Sequence, residues 1–303
     1  MIVITSIKEI RRFRDPVVAL GVFDGLHRGH RLILRSAVRR ARKIKGTSVV
    51  LTFSPHPHKQ ESLYSLRHRL RLLSELGVDV CIVINFSAGF ARMSADNFIS
   101  RILVGKIGCR FIYIGGNFRF GRRGSGDAKL LSAYAENRVF GLKVFKVIRS
   151  AGQPVSSTVI RKLIKKGRIS QAQKLLGRRV SVLGSVVKGS KIARGMGFPT
   201  ANIDPHHEVI PPPGIYAVHI VFASKPYDGI CYIGRRPTVG HRRSPVQVEV
   251  HIFDFYKNIY GRFMEIQFVK FIRPDKKFPS LKELSTQIKK DIIFSRNILK
   301  HSR

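Results

Sequence analysis

The sequence predicts two architectures in one chain: an N-terminal α/β domain on a parallel sheet, then a C-terminal antiparallel β-barrel with a terminal helix. Three observations predict this. From residue 1 to about 150, β-rich apolar runs alternate with amphipathic helical patterns, the order of a parallel sheet flanked by helices. From about 180 to 272, short alternating or apolar runs follow one another between glycine and proline turns, the order of a small barrel. Last, Leu281, Leu284, Ile288 and Ile292 recur at helical spacing. The expected limits are 1–153 for the first domain, 154–178 for a helical bridge and 179–303 for the second.

The first apolar run, 17–22, leads into GVFDGLHRGH at 21–30. Ile33, Leu34, Ala37, Val38, Ala41 and Ile44 then repeat at helical spacing, with Arg31, Arg35, Arg39, Arg40 and Lys43 on the other face. The motif is therefore a strand, a tight glycine turn and a helix start. His27 and His30 sit where free backbone N–H groups and the positive end of the helix dipole point outward, which makes a site for polyanions. Runs at 47–53, 79–84, 111–114 and 143–147 supply further strands, with helical patterns at 65–76, 94–103 and 128–139 between them. Ligands of such sheets bind beyond the carboxyl ends of the strands, where the 21–30 motif lies.

Thr52-Phe53-Ser54-Pro55-His56-Pro57-His58 ends the second of these strands as a loop stiffened by two prolines. GGNFRFG at 115–121 ends the fourth; its glycines let backbone approach a ligand, Asn117 offers an amide and Arg119 a cation. Ser156, Ser157 and Thr158 open a helix with Arg161 one turn on, a set that suits N-capping and also suits a phosphate. Two short apolar stripes follow, Val159, Leu163 and Ile164, then Ala172, Leu175 and Leu176, separated by Gly167.

Barrel strands are expected at 179–187, 215–222, 229–233, 246–253 and 264–271. Before the second of them, GFPTAN at 197–202 presents the Thr200 hydroxyl and the Asn202 amide carbonyl, hard oxygen ligands of the sort a magnesium nucleotide accepts. VEVHIFDF at 248–255 carries one carboxylate, Glu249, among the apolar residues of a β-pattern. It reads as a general base for a hydroxyl nucleophile, or as a cross-strand ion-pair partner.

Composition bounds the rest. The 303 residues, 44% of them hydrophobic, suffice for two domains and a sizeable core. No apolar run approaches the roughly 18 residues of a membrane span, and residues 1–5 are too short for a signal-peptide core. Cys81, Cys109 and Cys231 are scattered and without a Cys-x-x-Cys pair, which reads as reduced thiols in a cytoplasmic protein. Lys plus Arg number 56 against 18 Asp plus Glu, a net charge of +38. That balance points to polyanionic partners or to a solvated basic surface. The basic residues are spread through the chain, with no tail, no block of like charge and no aromatic-basic alternation, so the charge by itself selects no partner.

Together these segments resemble the prokaryotic bifunctional riboflavin kinase/FAD synthetase family. The likeness runs from about residue 13 to 292, with GVFDGLHRGH, TFSPHP, GGNFRFG, VSSTVIR, LLGR, GFPTAN, PGIYAV, RRPTV, VEVHIFDF, YG and KFPS in the family's order. One short motif is weak; the ordered set is specific. The resemblance implies a nucleotidyltransferase domain with a Rossmann-like parallel sheet that adenylylates FMN, and a barrel-type riboflavin kinase. By it, His27 and His30 bind the ATP phosphates on a turn shaped by Gly21, Phe23, Asp24 and Gly29, joined by Asn117, Ser157, Thr158 and Arg161. Phe53, Pro55, His56 and Pro57 lie near the flavin. In the kinase, Thr200 and Asn202 ligate Mg²⁺ and the ATP phosphates, and Glu249 is the catalytic base. The implied substrates and products are ATP, riboflavin, FMN and FAD. A cytoplasmic monomer or weak homo-oligomer is expected, acting on small molecules without a specific nucleic acid or a membrane.

The chain departs from the family pattern at three places. Ala193-Arg194 stands for Gly-Arg, Tyr232-Ile233-Gly234 for Asn-Ile-Gly, and Asn117 for an aspartate common in relatives. The first two touch the kinase half, so one alternative is a chain with only the FMN adenylyltransferase active. A second is a basic nucleic-acid-binding protein, but no Lys-Met-Ser-Lys-Ser loop, helix-turn-helix, RNA-recognition or zinc signature is present.

Overall fold

The computed structural model describes residues 1–55, 61–150, 152–189, 195, 197–235 and 246–302. The chain packs as two compact units, Met1–Ser62 with Leu66–Ser157, and Leu63–Ser65 with Thr158–Arg303.

The first unit holds β1 (Ile2–Ile4), β2 (Val17–Leu20), β3 (Ser48–Ser54), β4 (Val80–Asn85), β5 (Phe111–Gly115) and β6 (Gly141–Phe145) in one sheet, ordered β1-β4-β3-β2-β5-β6. All its pairings are parallel. β2 and nearly all of β3 are buried, as befits continuous apolar runs covered on both faces. The order reverses at β2, whose neighbours are β3 on one side and β5 on the other. That is the switch point where such sheets open a crevice. Helices α1 (Arg28–Lys43), α2 (Leu66–Glu75), α3 (Ala88–Ala91), α4 (Ala95–Asn97) and α5 (Ala128–Glu136) accompany the sheet, with a small antiparallel pair, β7 (Arg149–Ser150) and β8 (Gln153–Pro154), after it. The helix expected at 94–103 is instead one turn of α-helix followed by a π-helix over Phe98–Ile107. Of the expected apolar face of α1, Ile33, Leu34, Ala37, Val38 and Ala41 are buried, while Ile44 is the half-buried C-cap beyond the helix.

The second unit opens with α6 (Ser157–Lys165) and α7 (Ile169–Leu176). On α6 the buried residues are Ile160 and Ile164, so the packed stripe runs through Ile160 and not the expected Val159. A closed antiparallel barrel follows: β9 (Ser181–Val187), β10 (Ala201–Asp204), β11 (Gly214–Phe222), β12 (Lys225–Arg235), β13 (Val246–Ile252) and β14 (Phe263–Arg273), ordered β10-β13-β12-β11-β14-β9. Closure leaves no unpaired edge among the described strands.

Helix α8 (Leu281–Lys300) packs on the barrel, where Ile288, Ile292, Ile298 and Leu299 meet Ile215, Ala217, Ile230 and Phe253. Its seam differs from the expected one: Leu281 is 63% exposed, while Asp291 and Ser295 are buried. Asp291 takes the fork of Arg273, Nη2 to Oδ2 at 2.8 Å, and the Gln287 amide at 2.9 Å, so a charge is tolerated inside the seam. His219 on β11 meets Asp228 at 2.7 Å and Ser302 at 2.9 Å, fixing the end of the chain to the barrel.

Leu63, Tyr64 and Ser65 join this unit from far away in sequence. Leu63 and Tyr64 are buried, and the guanidinium of Arg178 lies 4.8 Å from the centre of the Tyr64 ring. The buried Glu208 accepts the Ser65 N–H at 2.9 Å and the Leu183 N–H at 3.0 Å.

Candidate active sites

In the first unit, β2 ends at Leu20, and the Gly21 N–H still reaches Leu51 O at 3.2 Å before the chain leaves the sheet. Phe23 and Gly25 then take left-handed backbone angles, φ 52° and 79°, which turn the chain into α1. Phe23 and Asp24 are buried beneath the turn, and Gly29 lies in the first turn of α1 against the His27 ring. His27 caps α1, its Nδ1 accepting the His30 N–H at 3.4 Å, a task more often given to serine or aspartate. A ring that accepts at Nδ1 is the tautomer with its proton on Nε2. The His27 and His30 rings stack at 3.6 Å, and Phe23 meets His30 edge-on at 5.3 Å.

Ser157 returns to this turn, its hydroxyl donating to Asp24 O at 2.6 Å. Asn117 is exposed in the turn after β5, with its amide oxygen over Gly115. Arg119, read as a cation for a ligand, is engaged with Asp127 at 2.8 Å, and Asp127 caps α5. That N-cap role, its Leu130 N–H first among several donors, holds the Asp127 carboxyl below the usual range. Phe53 is buried at the end of β3 within an aromatic cluster, its ring 5.8 Å from Phe86 and 6.0 Å from Phe90. Pro55 is exposed, while His56 and Pro57 lie outside the described residues. Thr158 and Arg161 belong to the second unit, Thr158 exposed and Arg161 half-buried.

A cation that the motifs do not contain stands behind this turn. Arg69 on α2 is 5% exposed. Its Nη1 donates to Val22 O at 2.8 Å and to the Thr52 hydroxyl at 3.3 Å, and its Nη2 to Phe53 O at 3.2 Å. The Thr52 hydroxyl donates to the same Val22 O at 2.8 Å. Burial lowers the Arg69 pKa from its ordinary value, and the nearby Asp24 charge opposes that shift. The signal in the sequence is an arginine three residues after Leu66 and three before Leu72, inside the apolar stripe of a helix.

In the second unit, β13 alternates strictly: Val248, Val250 and Ile252 face the barrel core, and Gln247, Glu249 and His251 face outward together. Those three hold the GFPTAN segment in register. His251 Nδ1 lies 2.9 Å from Pro199 O, the Thr200 hydroxyl donates to Glu249 at 3.3 Å, and the Gln247 amide donates to Asn202 Oδ1 at 3.2 Å and also to Glu249. Glu249 stands between Asn202 on β10 and Tyr232 on β12, directly opposite both. A side chain at Gly189 would overlap the Asn202 amide. A cavity of about 470 Å³ is lined among others by Gly189, Thr200, Asn202 and Tyr260 and, from β13, by Val250 and Ile252 on the face opposite Glu249.

Tyr232, the departure from the family's asparagine, donates its hydroxyl to Asp275 at 3.0 Å. Burial above all, and then that bond, push its pKa up to about 12. Ala193 and Arg194 lie outside the described residues. The roles of Gln247 and His251 went unread in the sequence, although the alternation that exposes Glu249 puts them on the same face. No group of three or more His, Cys, Asp or Glu side chains suited to a metal occurs among the described residues. Thr200, Asn202 and Glu249 are nonetheless hard oxygen donors side by side, and Mg²⁺ on a nucleotide takes few protein ligands beyond the phosphates.

Two family models match in tandem, FAD synthetase over residues 9–159 and riboflavin kinase over 176–299. The bifunctional riboflavin kinase/FMN adenylyltransferase of Escherichia coli K12 is 36% identical over 288 residues, covering 92% of this chain and 91% of that protein. The chain belongs to the bifunctional riboflavin kinase/FMN adenylyltransferase family. The Bacillus subtilis member is 33% identical over 91% of this chain and 90% of its own length. A solved Streptococcus pneumoniae structure described as a macrolide-efflux protein matches 98% of this chain and 99% of its own, at 30% identity and a TM-score of 0.84. No helix among the described residues is long and apolar enough to cross a membrane. The three cysteines of this family member are buried and free, with burial raising the Cys81 thiol to about 12 and the other two further, so they are inert at neutral pH.

Proposed function

We propose that the chain makes FAD from riboflavin in two ATP-dependent steps, one on each unit. In the kinase, the ribityl 5′-hydroxyl attacks the γ-phosphorus of ATP. The new O–P bond forms as the bond to ADP breaks, and Glu249 takes the hydroxyl proton. Thr200 and Asn202 are the residues that would hold Mg²⁺, which when bound supplies charge neutralisation at the phosphates. In the adenylyltransferase, a phosphate oxygen of FMN attacks the α-phosphorus of a second ATP and pyrophosphate leaves. That nucleophile is already an anion and needs no strong base. His27 and His30 donate to the phosphates as charge builds on them, with the α1 N-terminus behind them. Asn117, Ser157, Thr158 and Arg161 complete the nucleotide side, and Phe53, Pro55, His56 and Pro57 the flavin side. The corresponding modules are 1–153 and 179–303 with 154–178 as a bridge, in a cytoplasmic monomer or weak homo-oligomer that uses no specific nucleic acid.

The observation that carries the reading is the row of Gln247, Glu249 and His251 gripping the GFPTAN segment, in a chain whose His27/His30 turn lies at the sheet's switch point. The test is one tube of purified protein, riboflavin, ATP and Mg²⁺, with flavins separated over time. FMN should rise first and FAD after it. Glu249→Ala should lose riboflavin phosphorylation by at least about 100-fold and still convert supplied FMN; His30→Ala should do the reverse. If riboflavin and FMN are both left untouched under varied metal and redox conditions, the reading is wrong. A second reading, in which only the adenylyltransferase is active, is favoured by Tyr232 standing opposite Glu249. It predicts conversion of FMN alone.

A further inference from the structure

We propose that Arg69 is a positioning residue for adenylyl transfer, setting the gap between the phosphate-binding turn and the flavin-side loop. This rests on the reading of the first unit as an FMN adenylyltransferase. β2 and β3 pair in register only as far as Leu20 and Leu51. Beyond that point β2 departs into the His27/His30 turn, whereas β3 continues beside β4 as far as Ser54. The two exits therefore lack a ladder between them. Arg69 spans the opening: one guanidinium nitrogen takes Val22 O, the last carbonyl before the turn, and the other takes Phe53 O, just before the Ser54–Pro55 loop. Thr52 closes the same triangle through its hydroxyl on Val22 O. A planar fork with two separately directed N–H groups fits two divergent carbonyls; an ammonium on a lysine stem does not fit both.

The reaction needs the FMN phosphate oxygen in line with the α-phosphorus of ATP. On that reading ATP is held on the turn after Val22 and the flavin beside Phe53, so a shift of Val22 against Phe53 displaces one reactant against the other. Arg69 is 5% exposed, so its effect passes through the two segments that it holds. Loss of alignment by about 1 Å lowers turnover by roughly 100-fold without abolishing binding.

The experiment uses the full chain, with riboflavin phosphorylation by the second unit as the control in each tube. Arg69→Ala should lower kcat for FAD formation about 100-fold, leave the KM values for ATP and FMN within about threefold, and leave FMN production from riboflavin unchanged. Millimolar guanidinium should restore part of that rate and do nothing to the unsubstituted protein. Arg69→Lys should remain well below the unsubstituted enzyme. Thr52→Val, a milder change to the same triangle, should lose about tenfold in kcat and keeps the test alive if the Arg69 variants do not fold. The proposal is overturned if Arg69→Ala keeps kcat within threefold. It is equally overturned if the loss lies wholly in KM, or if it follows unfolding of the first unit and Thr52→Val is fully active. An unsubstituted protein that leaves supplied FMN untouched overturns the adenylyltransferase reading itself.

Discussion

Replacing Glu208 by alanine removes the acceptor for two backbone N–H groups at once. The carboxylate is 5% exposed and takes Ser65 at 2.9 Å and Leu183 at 3.0 Å, one on each oxygen. A hydrogen bond to a charged group contributes about 1.5–3 kcal/mol, so the pair is worth roughly 3–6 kcal/mol before any offset. Release of the carboxylate from its buried position returns part of that. The net destabilisation of the second unit should be about 2–4 kcal/mol, a fall in melting temperature of roughly 5–15 °C for a domain of this size. Residual riboflavin phosphorylation after graded heating reads the loss, and amide exchange locates it. The Ser65 and Leu183 amides should exchange faster before the rest of the barrel does. Glu208→Gln, which keeps one carbonyl acceptor, should fall between. If both amides stay as protected as in the unsubstituted protein, or the melting temperature moves by less than about 2 °C, the carboxylate is not what holds this segment.

Gly189→Ala would drive a methyl group into the Asn202 amide. It should cut kcat/KM for riboflavin phosphorylation at least tenfold or so, with FAD formation from supplied FMN unaltered. Tyr216 and Tyr232 are both pushed up to about 12, burial being the main cause. Because the unfolded value is near 10, their contribution to stability is complete below that pH and is lost as pH rises toward 12. Phenolate absorbance at about pH 11 should therefore jump when denaturant is added; a native protein already fully ionised there would contradict the burial of these two rings.

The long strands were legible because their residues are apolar throughout, as in β3, or strictly alternating, as in β13. β1 and β10 have three and four residues, too few to show a period, and Ala201 and Asn202 of β10 read as a ligand motif instead of a strand. On α8, apolarity misled twice: Leu281 at the start is exposed, and Asp291 in the middle is buried, where Arg273 neutralises it from β14. The site divides the same way. Glu249 stood out by alternation within its own strand, and His27 and His30 by spacing within one turn. Arg69 and Glu208 belong to no motif, and the groups they bond lie 47 residues away at Val22 and 143 away at Ser65. Local pattern reports a residue's face; it does not report a partner brought in by topology.

The membership of Leu63, Tyr64 and Ser65 in the second unit bears on how this molecule could be divided. The two family matches, 9–159 and 176–299, suggest a clean cut between them. A fragment starting there would lack the Tyr64 ring beneath Arg178 and the Ser65 amide on Glu208, leaving an open slot and a carboxylate short of a donor. A stand-alone version of the barrel half would need that slot filled by redesign, or the three residues supplied as a peptide. The boundary between the two family matches along the sequence is thus not the boundary between the two compact units.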